Sequence, residues 1–186
     1  VKDDDHLIEL TLNGDHAAFG HLVEKYQDRL YNTLVHVCGC ANEAEEIAQD
    51  ALVIAFQKLS SFQKRSSLYT WLYRIAMNTW ISQRRLRRNH LSVDRLREAT
   101  GHEPVDTSET PAESLERSER LEQIRSAINE LNDEHRGILV LRDIDGCCYE
   151  QISEILAIPI GTVRSRLHRA RMHLKMRLVE VLHENI

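Results

Sequence analysis

The chain has 186 residues, 24 Lys+Arg against 29 Asp+Glu, a formal net charge of −5, 42% apolar and 28% charged residues. That is too apolar for a disordered chain and long enough for one domain or two small ones. With 7 Gly, 3 Pro and 5% aromatics, turn formers and β-rich runs are too sparse for a sandwich, a barrel or a doubly wound sheet.

The first segments read as helices. Asp3 to Asp5 precede a short helix, His6–Asn13, stopped by Gly14. Asp15 is a good cap for a longer helix, with Phe19, Leu22, Val23, Tyr26, Leu30, Leu34 and Val37 on one face and Gly39 at its end. Asn42 followed by Glu45 has the spacing of a capping box. Ile47, Ala48, Ala51, Leu52, Ala55, Phe56 and Leu59 continue at helical spacing. Residues 60–67 read as a polar, basic loop. Leu68, Trp71, Leu72, Ile75, Ala76 and Thr79 then mark a helix that runs into Arg84-Arg85-Leu86-Arg87-Arg88, with Trp71 and Trp80 read as core.

Periodicity fades over 89–114, where Gly101, Pro104 and Pro111 stand among Ser, Thr and Glu, as in a flexible linker. It returns at Leu115, Leu121, Ile124, Ala127, Ile128 and Leu131. Asn132 or Asp133 caps the next helix, and Asp145-Gly146 makes a turn. A short helix over 149–156, a tight turn over 157–161 and a last helix follow. The expected fold class is therefore all-α: two small helical domains, 1–88 and 115–186, joined by a flexible acidic linker, 89–114. Domains this small have marginal cores and lean on partners.

The mild net charge hides a segregation. Residues 1–62 carry 11 acids against 4 bases, whereas 63–93 carry 7 bases and no acid. Residues 94–122 are net −5 and 123–158 net −4. Residues 159–186 are net +4, with six bases and no acid between Arg164 and Arg177. Solvated helix faces mix both signs. Two unmixed basic islands fit one polyanion, and the acidic stretches fit a basic protein partner.

The spacing over 149–178 is that of a helix-turn-helix. With Val163, Leu167, Ala170 and Leu174 inward, Arg164, Ser165, His168, Arg169 and Arg171 are left outward. Arg bonds guanine edges bidentately, and Ser and Arg also hold phosphates. A plain αα-hairpin with a solvated basic face is the competing reading. The segment from Asp145 to Arg171, and above all Gly161-Thr-Val-Arg-Ser-Arg-Leu-His-Arg-Ala-Arg171, resembles region 4 of bacterial RNA polymerase sigma factors of the extracytoplasmic-function class. Asn42-Glu-Ala-Glu-Glu-Ile-Ala-Gln-Asp-Ala51 resembles region 2.2 of that family. Ser61-Phe62 through Tyr69-Thr-Trp-Leu-Tyr-Arg-Ile-Ala-Met-Asn-Thr79 resembles regions 2.3 and 2.4. The likeness covers nearly the whole chain in the family's order, and it implies no C-terminal regulatory extension.

The resemblance implies a transcription initiation factor that binds core polymerase and reads −10 and −35 promoter elements, in a stress or envelope response. Glu46, Gln49 and Asp50 would dock on the clamp helices of the β′ subunit, and region 4 on the β flap. Gln63, Lys64, Arg65 and Ser66, with Arg74 and Asn78, fall where the family meets the −10 element. An amide suits a flipped base because it offers both a donor and an acceptor. Arg84, Arg85, Arg87 and Arg88 would grip phosphates. Thr162, Arg164, Ser165, Arg166, His168, Arg169 and Arg171 would face the −35 element. An anti-sigma factor, often membrane-anchored, is the implied inhibitor, and it would hold an otherwise cytoplasmic protein.

The loop Gln63-Lys64-Arg65-Ser66 is more basic than the Arg-Gly-Asp type common in the family, and Leu131-Asn132 replaces its usual Leu-Pro. Cys147-Cys148 stands where the family has Leu-Ser, with Cys148 at a helix N-cap. Cys38 and Cys40 lie with His36 at a helix end. These cysteines are too few for a disulfide scaffold, and a metal or redox role stands beside the plainer one of small buried hydrophobes. No cofactor, small-molecule substrate or metal is expected. No Gly-rich phosphate loop, nucleophile elbow, paired-carboxylate or His-Glu metal motif marks an enzyme. A helix-turn-helix repressor or activator working without polymerase is the alternative. No apolar run approaches the ~18 residues of a membrane span, and no signal-peptide pattern is read.

Overall fold

The computed structural model describes residues 3–91 and 111–184, with side chains described over 3–87 and 120–180. Among the described residues there are helices and no strands. The front unit holds α1 (Asp4–Leu12), α2 (His16–Cys38), α3 (Ala41–Lys58) and α4 (Leu68–Leu91). The rear unit holds α5 (Pro111–Asn129), α6 (Asp133–Leu139), α7 (Tyr149–Leu156) and α8 (Ile160–Glu184). Residues 89–91 and 111–114, assigned to the linker from composition, are helical. Residues 92–110 lie outside the described residues.

Local chemistry sets the boundaries. The Asp15 carboxylate accepts from the Ala17 N–H and starts α2. Gly39 ends it in the left-handed region at φ 75°. A Cβ at Gly39 would also lie 2.6 Å from Asn129 Oδ1 of the rear unit, so this glycine answers two demands at once. The chain then turns straight into α3 through an extended Cys40, with no side-chain cap. Asn42 is already inside the helix, and the expected capping box does not form there. The Asn132 side chain does cap α6, accepting from His135 N at 2.8 Å.

The helix after Leu139 widens into a π turn, Val140–Ile144, closed by Asp145 N–H to Val140 C=O at 2.9 Å. That extra residue rotates Asp145 out of the helical path and towards the front unit. Gly146 (φ 75°) completes the turn. Cys148 caps α7 reciprocally with Gln151. Ala157, at φ 52°, ends α7 in the left-handed region, and α8 begins at Ile160, so Gly161 is helical rather than part of the turn.

One contiguous core runs through both units. It joins Leu30, Leu34 and Val37 of α2, Ile47 and Ala51 of α3 and Tyr73, Met77 and Trp80 of α4 to Ile138, Leu141, Ile152, Ile155, Val163 and Leu167 of the rear unit. A smaller cluster of Leu7, Ile8, Ala18, Leu22, Leu59 and Leu68 seats α1. The two units therefore share apolar surface that each would otherwise expose, which answers the marginal size of either alone.

Candidate nucleic-acid interface

The loop ahead of α4 is anchored at both ends. Phe62 packs on Trp71 with ring centroids 5.2 Å apart. Ser67 Oγ accepts the Thr70 N–H at 3.1 Å, capping α4. Between these anchors Gln63, Lys64 and Arg65 are exposed and Ser66 is half-buried. Lys64 holds a left-handed backbone at φ 52°. Its ammonium lies 3.0 Å from Asp5 and 3.9 Å from Glu9 of α1.

On α4, Tyr69, Leu72, Tyr73, Ala76, Met77 and Trp80 face the core, whereas Arg74, Asn78 and Arg85 are exposed. Steps of four and seven place those three on one stripe, beside the basic loop. Arg84 is turned the other way. It donates to Cys38 C=O at 3.1 Å and lies 3.6 Å from Glu43. Arg87 lies 3.1 Å from the same carboxylate and 3.8 Å from Glu46. The Arg88 side chain lies outside the described residues. The first basic island thus divides into an unpaired exposed group, which includes Arg65, Arg74 and Arg85 beside Asn78, and a paired group, half-buried Arg84 and exposed Arg87, engaged with the end of α2 and the start of α3 among the described residues.

The second island divides in the same way. Val163, Leu167 and Ala170 are buried and Leu174 partly so, as helical spacing predicts. Arg164, Ser165, His168 and Arg169 are exposed near the start of α8, and Thr162 is half-buried. Arg166 is held 3.2 Å from Glu134. Arg171 forms a two-point contact with Asp143, one limb at 3.0 Å. Arg164 and Arg169 make no ion pair among the described residues, and so present unspent donors to a groove or a phosphate.

On α3, Glu46, Gln49 and Asp50 are exposed. Gln49 donates to Glu45 at 3.2 Å, and Gln83 of α4 donates to Asp50 at 3.1 Å. Val53 extends this stripe, exposed at 56%. The sequence reading passed over Val53. Its signal was an apolar residue three past Asp50, on a face that solvent alone would keep polar. Phe56, read as core, is partly exposed and packs edge-on against Phe19 and His16.

All four cysteines are free. Burial pushes the Cys38 and Cys147 thiols up to about 12, so neither is a thiolate at neutral pH. Among the described residues no group of three or more His, Cys, Asp or Glu is placed to hold a metal ion. No described helix is long and apolar enough to cross a membrane.

The chain matches two family models: Sigma-70 region 2 over residues 22–90, and Sigma-70, region 4 over residues 121–174. It is 34% identical to RNA polymerase sigma-H factor of Pseudomonas aeruginosa, covering 98% of this chain and 97% of that protein. It is 37% identical to ECF RNA polymerase sigma-E factor of Escherichia coli K12, covering 90% of each. Its fold is similar to that of the sigma factor RpoE in complex with the anti-sigma factor NepR from Bartonella quintana. There the TM-score is 0.72 at 26% identity, covering 86% of this chain and 96% of that one. With both sigma regions matched in order and whole-length relatives at a third of positions identical, the chain belongs to the extracytoplasmic-function class of the sigma-70 family.

Proposed function

We propose that this protein directs core RNA polymerase to promoters through three exposed surfaces. The α4 stripe with loop 63–66 meets the −10 element, and the first half of α8 meets the −35 element. The Glu46–Gln49–Asp50 stripe with Val53 meets the polymerase clamp. One observation carries the reading: two exposed basic surfaces, on α4 and α8, stand in one chain whose matched families are sigma regions 2 and 4. A repressor that never docks on polymerase would leave the match over 22–90 without a purpose.

Asn78 is exposed and sits one turn past Arg74, where its amide can meet an unstacked base edge. Arg85 extends that stripe towards the backbone, where a cation adds affinity without sequence preference. Arg164 and Arg169 are the candidates for base edges in the upstream element. Arg166 and Arg171, engaged by Glu134 and Asp143, hold α8 in place for them. No catalytic role is assigned, and the site of action is the cytoplasm. An anti-sigma factor is the expected inhibitor, and competition with core polymerase for the α3 stripe is its expected mode.

The test is run-off transcription on genomic fragments with core enzyme, with and without this protein. Discrete promoter-dependent transcripts are expected only with it. Failure to bind core enzyme would overturn the reading.

A further inference from the structure

We infer that the seam between the two units holds a binding site for a small aromatic anion, a flat apolar body bearing one acidic group. It is a fourth site, distinct from the three surfaces assigned above, and shares Arg85 with the α4 stripe.

The sequence of α4 prepares one side of it. Met77, Trp80, Ile81, Arg84 and Arg85 follow one another at steps of three, one, three and one, and so share one helix face that turns from apolar to basic along its length. A cavity of about 310 Å³ lies between this face and α6, α7 and α8 of the rear unit. Sites for small molecules begin at about this volume and favour boundaries between domains. Met77, Trp80, Ile81 and Leu156 give the cavity apolar walls. Met77 and Trp80, each 1% exposed, make its inner side, whereas exposed Ile81 and half-buried Leu156 stand towards the mouth. Water is poorly held against such walls, and an apolar body that displaces it gains affinity.

The charged lining selects the sign of the ligand. Arg84 donates to the Cys38 carbonyl at 3.1 Å and lies 3.6 Å from Glu43. Arg166 lies 3.2 Å from Glu134, and Asp133 lies 3.8 Å from Arg136. Both carboxylates that line the cavity are therefore already met by cations. Arg85 lines it too, is exposed and makes no ion pair among the described residues. One acidic group on a ligand answers this unspent guanidinium, which can hold a carboxylate through two parallel hydrogen bonds. A neutral ligand gains nothing from Arg85, and a cationic one is repelled.

The lining also selects the body. Three guanidinium groups, those of Arg84, Arg85 and Arg166, surround the apolar walls. A flat ring gains from a guanidinium over its face as well as from apolar contact, whereas an aliphatic chain gains from the contact alone. The site therefore fits an aromatic acid better than a fatty acid of similar size.

The test is calorimetric titration of the free, full-length protein with 1-naphthoate at low salt. Saturable one-to-one binding is expected, with a Kd on the order of 100 µM for a ligand of this size. The neutral isostere 1-naphthamide and the aliphatic decanoate should each bind several-fold more weakly. Two variants alter the lining at exposed positions of α4. Ile81→Glu sets a like charge in the apolar mouth, and Arg85→Gln removes the unspent cation. Each should weaken 1-naphthoate binding on the order of tenfold. Lys58→Gln removes an exposed cation that does not line the cavity, and should leave the Kd unchanged. Helical circular dichroism and thermal unfolding check that all three variants remain folded. No saturation up to roughly 5 mM would overturn the inference, as that is weaker than any specific site of this size. So would equal affinity for 1-naphthamide or decanoate, binding that survives either cavity variant, or an equal loss in Lys58→Gln.

Discussion

Lys64, in the loop that precedes α4, lies 3.0 Å from the carboxylate of Asp5 at the start of α1. A cation placed to meet DNA is thus already met by an acid of its own chain, with Glu9 beside it. Asp5 draws the Lys64 pKa upward from its ordinary value, chiefly by hydrogen bonding. Both partners are well exposed, so the pair matters for competition with phosphate more than for stability.

Replacing Asp5 by Asn and Glu9 by Gln should therefore leave thermal stability nearly unchanged. The same double variant, assembled with core polymerase, should bind promoter DNA more tightly and with a steeper dependence on salt, because Lys64 is released to the phosphates. Filter binding across a salt series measures both. An unchanged slope would assign Lys64 to holding the loop alone.

Asn78→Ala should slow open-complex formation and blur selection at one −10 position while core binding persists. The side chain is exposed and away from the buried face of α4, so the fold should tolerate the change. Permanganate footprinting reads strand opening, and a fluorescence titration with core enzyme reads docking. Lost docking would reassign the residue.

Arg169→Ala or Arg164→Ala should cost about 1–3 kcal/mol of promoter binding if the side chain reads a base, and relax preference at one −35 position. Weakening across all sequences alike would mark a phosphate contact instead. Arg171→Ala should act differently. It releases Asp143, and its cost should appear in stability as well as in binding. Holoenzyme binding to a panel of single-base promoter variants, with thermal unfolding alongside, separates the cases.

Asp50→Arg and Val53→Glu should each weaken core binding without disturbing DNA contacts on α4, since both residues are exposed on α3. A competition titration with core enzyme measures the loss. If an inhibitor covers the same stripe, its affinity should change with the same two variants.

Stability should fall on mild acidification. Burial lowers the His135 pKa below its ordinary 6.5, with the neighbouring His173 adding to it, and burial lowers that of His36 with help from Arg125. A depressed histidine is protonated first in the unfolded chain, so the unfolded state takes up more protons as pH falls through 6.5. Stability is fully present above that point and is lost as pH drops towards the folded-state values. Thermal unfolding at pH 7.5 and 5.5 should show the decline, and His135→Gln should flatten it.

Much of this architecture is written locally. Asp15, Gly39, Asn132 and Cys148 each mark a helix end by chemistry that acts within four residues, and each boundary forms where such chemistry directs. Asn42 misled because a capping-box spacing is common, whereas the left-handed Gly39 feeds α3 directly through Cys40. The outward stripe of α8 followed from periodicity alone. The division of each basic island did not. Arg84 finds its partners 46 and 41 residues away in sequence, at Cys38 and Glu43, and Arg171 finds Asp143 28 residues away, beyond α7. The union of the two units was the least legible feature, since Arg29 meets Asp145 at a separation of 116 residues and no periodicity speaks across that distance.

Two guanidinium groups converge on the Cys38 carbonyl, Arg84 at 3.1 Å from the front unit and Arg136 at 3.5 Å from the rear. Arg136 also keeps carbonyl partners inside its own unit, Asn129 at 2.9 Å and Leu131 at 3.0 Å. The end of α2 is thus held from both units, by Arg84 of α4 and by Arg136 of α6. The Val37 carbonyl is met by Arg136 at 3.3 Å and not by Arg84. Losing either guanidinium therefore still leaves the Cys38 carbonyl, the last of α2, with a charged donor.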